Sequence, residues 1–151
     1  MVPGDESSEV QGDTLISRWI EAFNTHNVEA IVALYAENAE LYDSGMKHPR
    51  RGRSEIENWF RTRFRTMPSI RYLPTSEVLL GENQAAITWT TQGNGPRLLG
   101  LSLFTRPFRV DGVSVFHLRA GLIERQRGYY DHLAALEQIA SPLKWLHLPR
   151  L

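Results

Sequence analysis

Apolar residues at Ile16, Trp19, Ile20 and Phe23 recur at i, i+3, i+4 and i+7, the spacing of one helix face, with Asp13 ahead of them as a cap. Asn27 then heads a shorter helix whose inward stripe is Ile31, Leu34 and Tyr35. Residues 39–43 read as a short strand ending at Asp43, followed by a loop that runs to Gly52-Arg53. Ser54 with Glu57 predicts a capping box. Ile56, Trp59, Phe60, Phe64 and Met67 mark the apolar face of a third helix, which Pro68 ends.

Beyond residue 69 the pattern changes to strands. Residues 70–80 and 84–91 flank Gly81-Glu82-Asn83 as a hairpin, and Gly93-Asn94-Gly95-Pro96 breaks the second of these strands. Residues 109–118 and 122–131 form another hairpin around Arg119-Ala120-Gly121. A last helix is expected from His132 to about Ala140. Three helices followed by antiparallel strands predict an α+β fold, with three or four helices on one face of a curved antiparallel sheet and a cone-like cavity between. Strand alternation puts Ser114 and Phe116 on one face, Gln126, Gly128 and Tyr130 on one face of the next strand, and Thr90 with Gln92 one strand earlier. These polar groups among aromatics are the expected pocket lining.

Composition narrows the class. At 151 residues the chain suits one domain large enough to enclose a small molecule. We expect a disordered leader over residues 1–12, the folded domain over 13–140 and an apolar tail over 141–151. Leu143, Trp145, Leu146, Leu148 and Leu151 make that tail too apolar for a free terminus, so it should cover the cavity mouth or a subunit seam. The 17 basic and 17 acidic side chains cancel, which argues against nucleic-acid or anionic-membrane partners. Arg50, Arg51, Arg53, Arg61, Arg63 and Arg65 are expected on a solvated face. The absence of cysteine suits a reducing cytoplasm, and no apolar run approaches the ~18 residues of a membrane span.

Asp43 is the candidate for chemistry, and two readings stand for it. A carboxylate at the lip of an apolar space is a candidate proton carrier. Asp43-Ser44-Gly45 also reads as a turn starter, the reading that spacing alone favours, since Asp and Gly favour turns for local reasons. The five histidines His26, His48, His117, His132 and His147 show no metal-ligand spacing, so no metal site is expected. Asp131 is expected to cap the last helix.

Residues 13–140 resemble the nuclear-transport-factor-2-like (NTF2-like) superfamily. Arg18-Trp19-Ile20-Glu21, the run from Val28 to Ala39, Asp43 and Gly52-Arg53 resemble the bacterial ketosteroid isomerases. Trp89, the Gly93–Leu101 segment, Gly112-Val113-Ser114-Val115-Phe116 and Gly128-Tyr129-Tyr130-Asp131 are similar to SnoaL-type polyketide cyclases and to limonene epoxide hydrolase. The resemblance implies that Asp43 matches the isomerases' general base and Tyr35 a supporting tyrosine. It puts Trp19 and Ser114 where the isomerases hold their oxyanion donors, a tyrosine and a protonated aspartic acid. The cyclases' acid–base Asp and His fall on Gly128 and Ser114. The epoxide hydrolase's charged groups fall on Thr90, Gln92 and Gly128, and its water-positioning pair on Leu41 and Asp43.

The expected function is therefore cofactor-independent. Asp43 would act as general base, in a pocket of Trp19, Tyr35, Leu41, Trp59, Phe60, Thr90, Gln92, Ser114, Phe116, Gln126, Gly128 and Tyr130. It would cyclise, isomerise or dehydrate a hydrophobic polyketide- or terpenoid-like carbonyl compound. Epoxide opening and non-catalytic ligand binding are the alternatives. A homodimer is expected through the sheet face that the helices leave uncovered.

Overall fold

A computed structural model describes residues 6–95 and 107–139. Helix α1 (Glu6–Asn24) and the short α2 (Val28–Val32) precede strand β1 (Tyr35–Asp43), the two-residue β2 (Arg50–Arg51) and helix α3 (Gly52–Thr66). Strands β3 (Arg71–Pro74), β4 (Leu79–Gly81), β5 (Gln84–Asn94), β6 (Pro107–Arg119) and β7 (Leu122–Tyr130) follow, then helix α4 (His132–Ile139). The sheet order is β2-β1-β7-β6-β5-β3, with β4 also on β5. The α+β architecture is the one expected, but the sheet is mixed. β1 lies parallel to β7, pairing Leu41 with Gln126 and Asp43 with Gly128, while the other pairings are antiparallel. Pairing between strands so far apart in sequence leaves no local signal.

Several boundaries differ from expectation for local reasons. α1 starts at Glu6, so residues 6–12 are helical rather than part of a disordered leader. These added turns reach the sheet, where Gly12 is buried against Leu80 and Leu118. Asn27 does cap α2, its side chain accepting from the Ala30 N–H at 3.0 Å. Leu34 and Tyr35 lie beyond that helix, and Tyr35 opens β1. The Ser54–Glu57 capping box does not form. α3 begins three residues earlier, at Gly52, whose φ of +77° is left-handed, and Glu55 reaches back to the Arg51 N–H at 2.8 Å. The 70–80 strand is split after Pro74: the Thr75 N–H still bonds the Thr88 carbonyl, but the Thr88 N–H goes to the Ser76 side chain.

The interior lies between the helices and the concave side of the sheet. Ile16, Trp19 and Phe23 from α1, Ile56, Phe60 and Phe64 from α3, and Leu41, Ile87, Trp89 and Phe116 from the strands are all buried there. Trp19 touches the rings of Phe23, Phe60, Tyr72 and Phe116, with centroids 5.1–6.3 Å apart. Aromatic contacts of this kind add about 0.5–1.5 kcal/mol per pair beyond area burial. The expected tail at 141–151 and the Gly-Asn-Gly-Pro break beyond Gly95 lie outside the described residues. No helix among the described residues is long and apolar enough to cross a membrane.

Candidate functional site

Asp43 ends β1 on its inward face, in register with Gly128 of β7, which is itself opposite Ser114 of β6. Its two oxygens have separate surroundings. Oδ1 accepts the Gly45 N–H at 2.9 Å, closing the turn. Oδ2 faces the interior, 3.4 Å from Nη2 of Arg63. The turn contact therefore takes one oxygen and leaves the other to the interior. The Asp43 side chain is 17 % exposed and that of Arg63 25 %, so the pair sits at the rim of the interior and not on the solvated surface.

Arg63 departs from the expectation of a solvated arginine cluster. Helical geometry explains it: Trp59, Arg63 and Met67 form an i, i+4, i+8 row on α3, beside the buried row Ile56, Phe60 and Phe64. The Arg63 guanidinium lies 5.1 Å from the Trp59 ring centroid, which holds it against the helix. Arg53 and Arg61 have other tasks, Arg53 donating to the Tyr35 carbonyl and Arg61 bridging Glu29 and Glu57.

Tyr130, at the end of β7, completes the rim. A side chain at Gly45 would run into its hydroxyl, which brings that hydroxyl up against the Asp43 turn. Burial, and next the Asp43 carboxylate, push its pKa up to about 12, so near neutral pH it is a hydrogen-bond donor. His132, the first residue of α4, packs against the Tyr130 ring with centroids 4.3 Å apart and planes tilted by 44°, and bonds Ser44 Oγ through Nε2 at 2.7 Å. Asp131 caps α4 by accepting the Ala134 N–H at 3.0 Å.

Deeper in, the polar groups satisfy one another. Trp19 Nε1 donates to Tyr35 Oη at 3.0 Å, and the Tyr35 hydroxyl donates to Gln126 Oε1. Trp89 Nε1 donates to Ser114 Oγ at 2.9 Å, with the Tyr72 hydroxyl 3.4 Å from the same oxygen. Burial raises the pKa of Tyr35 and of Tyr72. No buried side-chain polar atom among the described residues is left without a partner.

Two small chambers meet at Arg63 and Trp89. One, about 40 Å³, is lined by Asp43, Trp19, Leu41, Trp59, Phe60, Ser114, Gln126 and Gly128 among others. The second, about 100 Å³, is lined by Met67, Ile70, Thr91, Phe108, Val110 and Tyr130, with Ala135 of α4. A larger depression of about 480 Å³ at the far end lies among exposed side chains such as Gln11, Arg18, Glu82 and Arg119. Size favours that depression, but its charged groups are solvated, so the chemistry favours the small chambers.

The expected lining is thus largely brought together, with corrections. Thr90 and Gln92 lie on the outer face of β5. Thr90 Oγ1 bonds Asp111 across the sheet, and Gln92 sits with Arg71 and Arg109 in a surface depression. The inward residues of β5 are instead Ala85, Ile87, Trp89 and Thr91; Trp89 fits because Gly112, opposite it, has no side chain to meet its ring. Tyr35 and Phe116 are fully buried behind the chambers instead of lining them. Arg63, Trp89, Phe108 and Val110 join the lining without having been expected there. The Trp59–Arg63–Met67 row is the available signal for the first, and the period-2 set through Ile87 for the second. Among the described residues no group of three His, Asp or Glu side chains could hold a metal ion.

Comparison with known proteins agrees with this architecture. A hypothetical protein of ketosteroid-isomerase-like fold from Catenulispora acidiphila, solved with trimethylamine, superposes with a TM-score of 0.72 at 19% identity, covering 89% of this chain and 97% of that one. A Jannaschia protein provisionally assigned as a SnoaL-like polyketide cyclase gives a TM-score of 0.77 at 14% identity, covering 88% and 94%. TerC, co-crystallised with polyporic acid, gives 0.71 at 17% identity, covering 85% and 98%. No curated protein matches the sequence. At these identities the neighbours establish the fold alone, but a family model of the SnoaL-like domain matches residues 16–126, most of the chain. The chain belongs to the SnoaL-like family of the NTF2-like superfamily.

Proposed function

We propose that this protein is a small-molecule enzyme in which Asp43 is the general base for cyclisation, isomerisation or dehydration of a polyketide- or terpenoid-like carbonyl compound. The observation that carries the reading is Asp43 Oδ2, aimed into an aromatic chamber while Oδ1 is occupied by the turn. Turn formation therefore fixes the carboxylate, and the oxygen placed to take a proton is Oδ2, whose contact with Arg63 is a long one at 3.4 Å. A base so held removes a proton from the carbon beside a carbonyl and returns it, or directs it, to another atom of the same substrate. One positioned base contributes about 10²–10⁴-fold.

The test is conversion of cyclohex-3-enone to its conjugated isomer, followed by enone absorbance, with melting measured on the same samples. Asp43→Asn keeps the shape and the Oδ1 turn bond but cannot take the proton. The rate should fall by about 10²–10⁴ with melting little changed. An Asn variant as fast as the wild type would end the mechanism. Lost melting with intact turnover per folded molecule would reduce Asp43 to its turn.

We also propose a homodimer through the outer sheet face, where Ala86, Val113 and Val115 are only half-buried in the isolated chain. Light scattering that gives a monomer at high micromolar concentration would refute it.

A further inference from the structure

We infer that the substrate oxygen docks at the rim, on the Arg63 guanidinium and the Tyr130 hydroxyl, and that the substrate is a one-ring ketone or enol whose apolar body fills the chamber behind Tyr130. This deepens the reading of Asp43 as the base and rests on it. The ketosteroid-isomerase resemblance puts the oxyanion donors deep, at Trp19 and Ser114. In this chain both are engaged: the Trp19 N–H is given to Tyr35 at 3.0 Å, and Ser114 Oγ receives Trp89 at 2.9 Å. Recruiting Trp19 would break a buried bond, and Ser114, which keeps its own O–H, is only 2% exposed and lies behind Trp89 and Tyr72. At the rim the Tyr130 hydroxyl is hydrogen-bonded to Asp43 and Arg63, half-buried partners that a substrate oxygen can replace. Arg63 has one guanidinium nitrogen 3.4 Å from Asp43, a long contact, and borders both chambers.

The charge movement fits this placement. When Asp43 Oδ2 takes the proton, the C–H bond breaks and an O–H bond forms on the carboxyl. The C–H electron pair becomes the enolate, so the negative charge leaves Asp43 and appears on the substrate oxygen. A fixed cation beside Asp43 stays paired throughout, with the charge passing from one of its partners to the other. Reprotonation at another carbon restores the starting charges. No oxidant, reductant or second reactant is involved.

Volume sets the substrate size. A cavity of about 150 Å³ takes up benzene. The apolar chamber here is about 100 Å³, with about 40 Å³ more beside Asp43. Its walls are Met67, Ile70, Phe108, Val110 and Ala135, with no charge except Arg63 at the rim. One ring or a short branched chain fits, and four fused rings do not.

The experiment is equilibrium binding of 4-nitrophenol, whose phenolate mimics an enolate and has its own absorbance band. In Asp43→Asn, which imitates the protonated base, the bound dye should ionise at lower pH than free dye. Replacing Arg63 in that background by Met, which keeps an apolar stem on Trp59, should weaken phenolate binding by roughly tenfold or more. Arg63→Lys should recover part of it. Wild type should bind the phenolate more weakly than Asp43→Asn, since Asp43 repels it. Melting curves show that each variant is folded. If the Met variant ionises the dye as well as its Arg63 parent, or if Asp43→Asn binds no dye, the docking site is wrong. Binding of 1-hydroxypyrene as tight as 4-nitrophenol would overturn the size limit. None of these readings needs turnover, so a failure of Asp43 as base, seen as an Asn variant with wild-type rate, is a separate result.

Discussion

The interior has two polar regions built on opposite terms. The deep one links Trp19, Tyr35 and Gln126 in one chain of hydrogen bonds and joins Trp89 and Tyr72 at Ser114. Its members are almost wholly buried, and each has a hydrogen-bond partner within the set. The rim holds Asp43, Arg63 and Tyr130, with Ser44 and His132 behind them, partly open to solvent. A buried network with every partner satisfied specifies a fold, because each unmade bond costs about 1–3 kcal/mol. A loosely paired charge at a rim can exchange its partner for a substrate. On the proposed reading the deep set is structural, and the work falls to the rim.

Mutation at one site in each region gives the sharpest contrast. Asp43→Asn should lower turnover by about 10²–10⁴ and leave melting nearly unchanged, since Asn keeps the bond to the Gly45 N–H. Tyr35→Phe should do the reverse. It leaves the Trp19 N–H and the Gln126 carbonyl oxygen without a partner, for a loss of about 1–3 kcal/mol, or roughly 3–10 °C of melting temperature. Activity per folded molecule should persist. If Tyr35→Phe stops turnover without lowering stability, the deep network is catalytic and the two regions exchange roles.

The same contrast separates what the sequence carries from what it hides. Period-3.6 and period-2 patterns locate α1, α3 and both hairpins, because burial acts on the nearest few residues of a regular element. Asp43, Ser114, Gln126 and Gly128 can be assigned to one interior because alternation fixes their faces. Arg63 is misjudged when grouped with the arginines beside it in sequence, although its i±4 neighbours Trp59 and Met67 are apolar. Thr90 and Gln92 are misjudged because polarity suggests a pocket, whereas Thr90 is bonded to Asp111 on the outer face. The parallel β1–β7 pairing, which brings Asp43 to Gly128, joins strands about 85 residues apart and has no local code.

A middle-sized effect concerns alkaline pH. Tyr35, Tyr72 and Tyr130 all have raised pKa values, chiefly through burial. A raised folded pKa means the native state holds the proton more tightly than the unfolded chain. The stability from these groups is full below the unfolded tyrosine value of about 10 and is lost as pH rises beyond it. For Tyr130 the loss runs from there through about 12. Denaturant unfolding should thus show falling stability above pH 10, and Tyr130→Phe should flatten that fall while Tyr130 Oη is the group responsible. An unchanged slope in the Phe variant would remove Tyr130 from the account.

The smallest expected effect lies at the boundary of the two regions, at Gly128. A Cβ there would stand 3.7 Å from Ser114 Oγ of the deep set and 3.9 Å from Asp43 Oδ2 of the rim, both ordinary contacts. Gly128→Ala should therefore fit without strain. It should raise stability by about 0.4–1 kcal/mol, because alanine has fewer unfolded conformations to lose. The added methyl also occupies space in the chamber of only about 40 Å³ in front of Asp43. A substrate whose reacting carbon must approach Oδ2 from that side should bind a few-fold more weakly, with the stability gain intact. If binding is unaffected, substrate reaches Asp43 wholly from the Arg63 and Tyr130 side, and the division between deep and rim regions is sharper still. If binding is abolished while Tyr35→Phe leaves it intact, the approach runs between Ser114 and Asp43. The deep region would then contribute a wall to the site, though none of its donors.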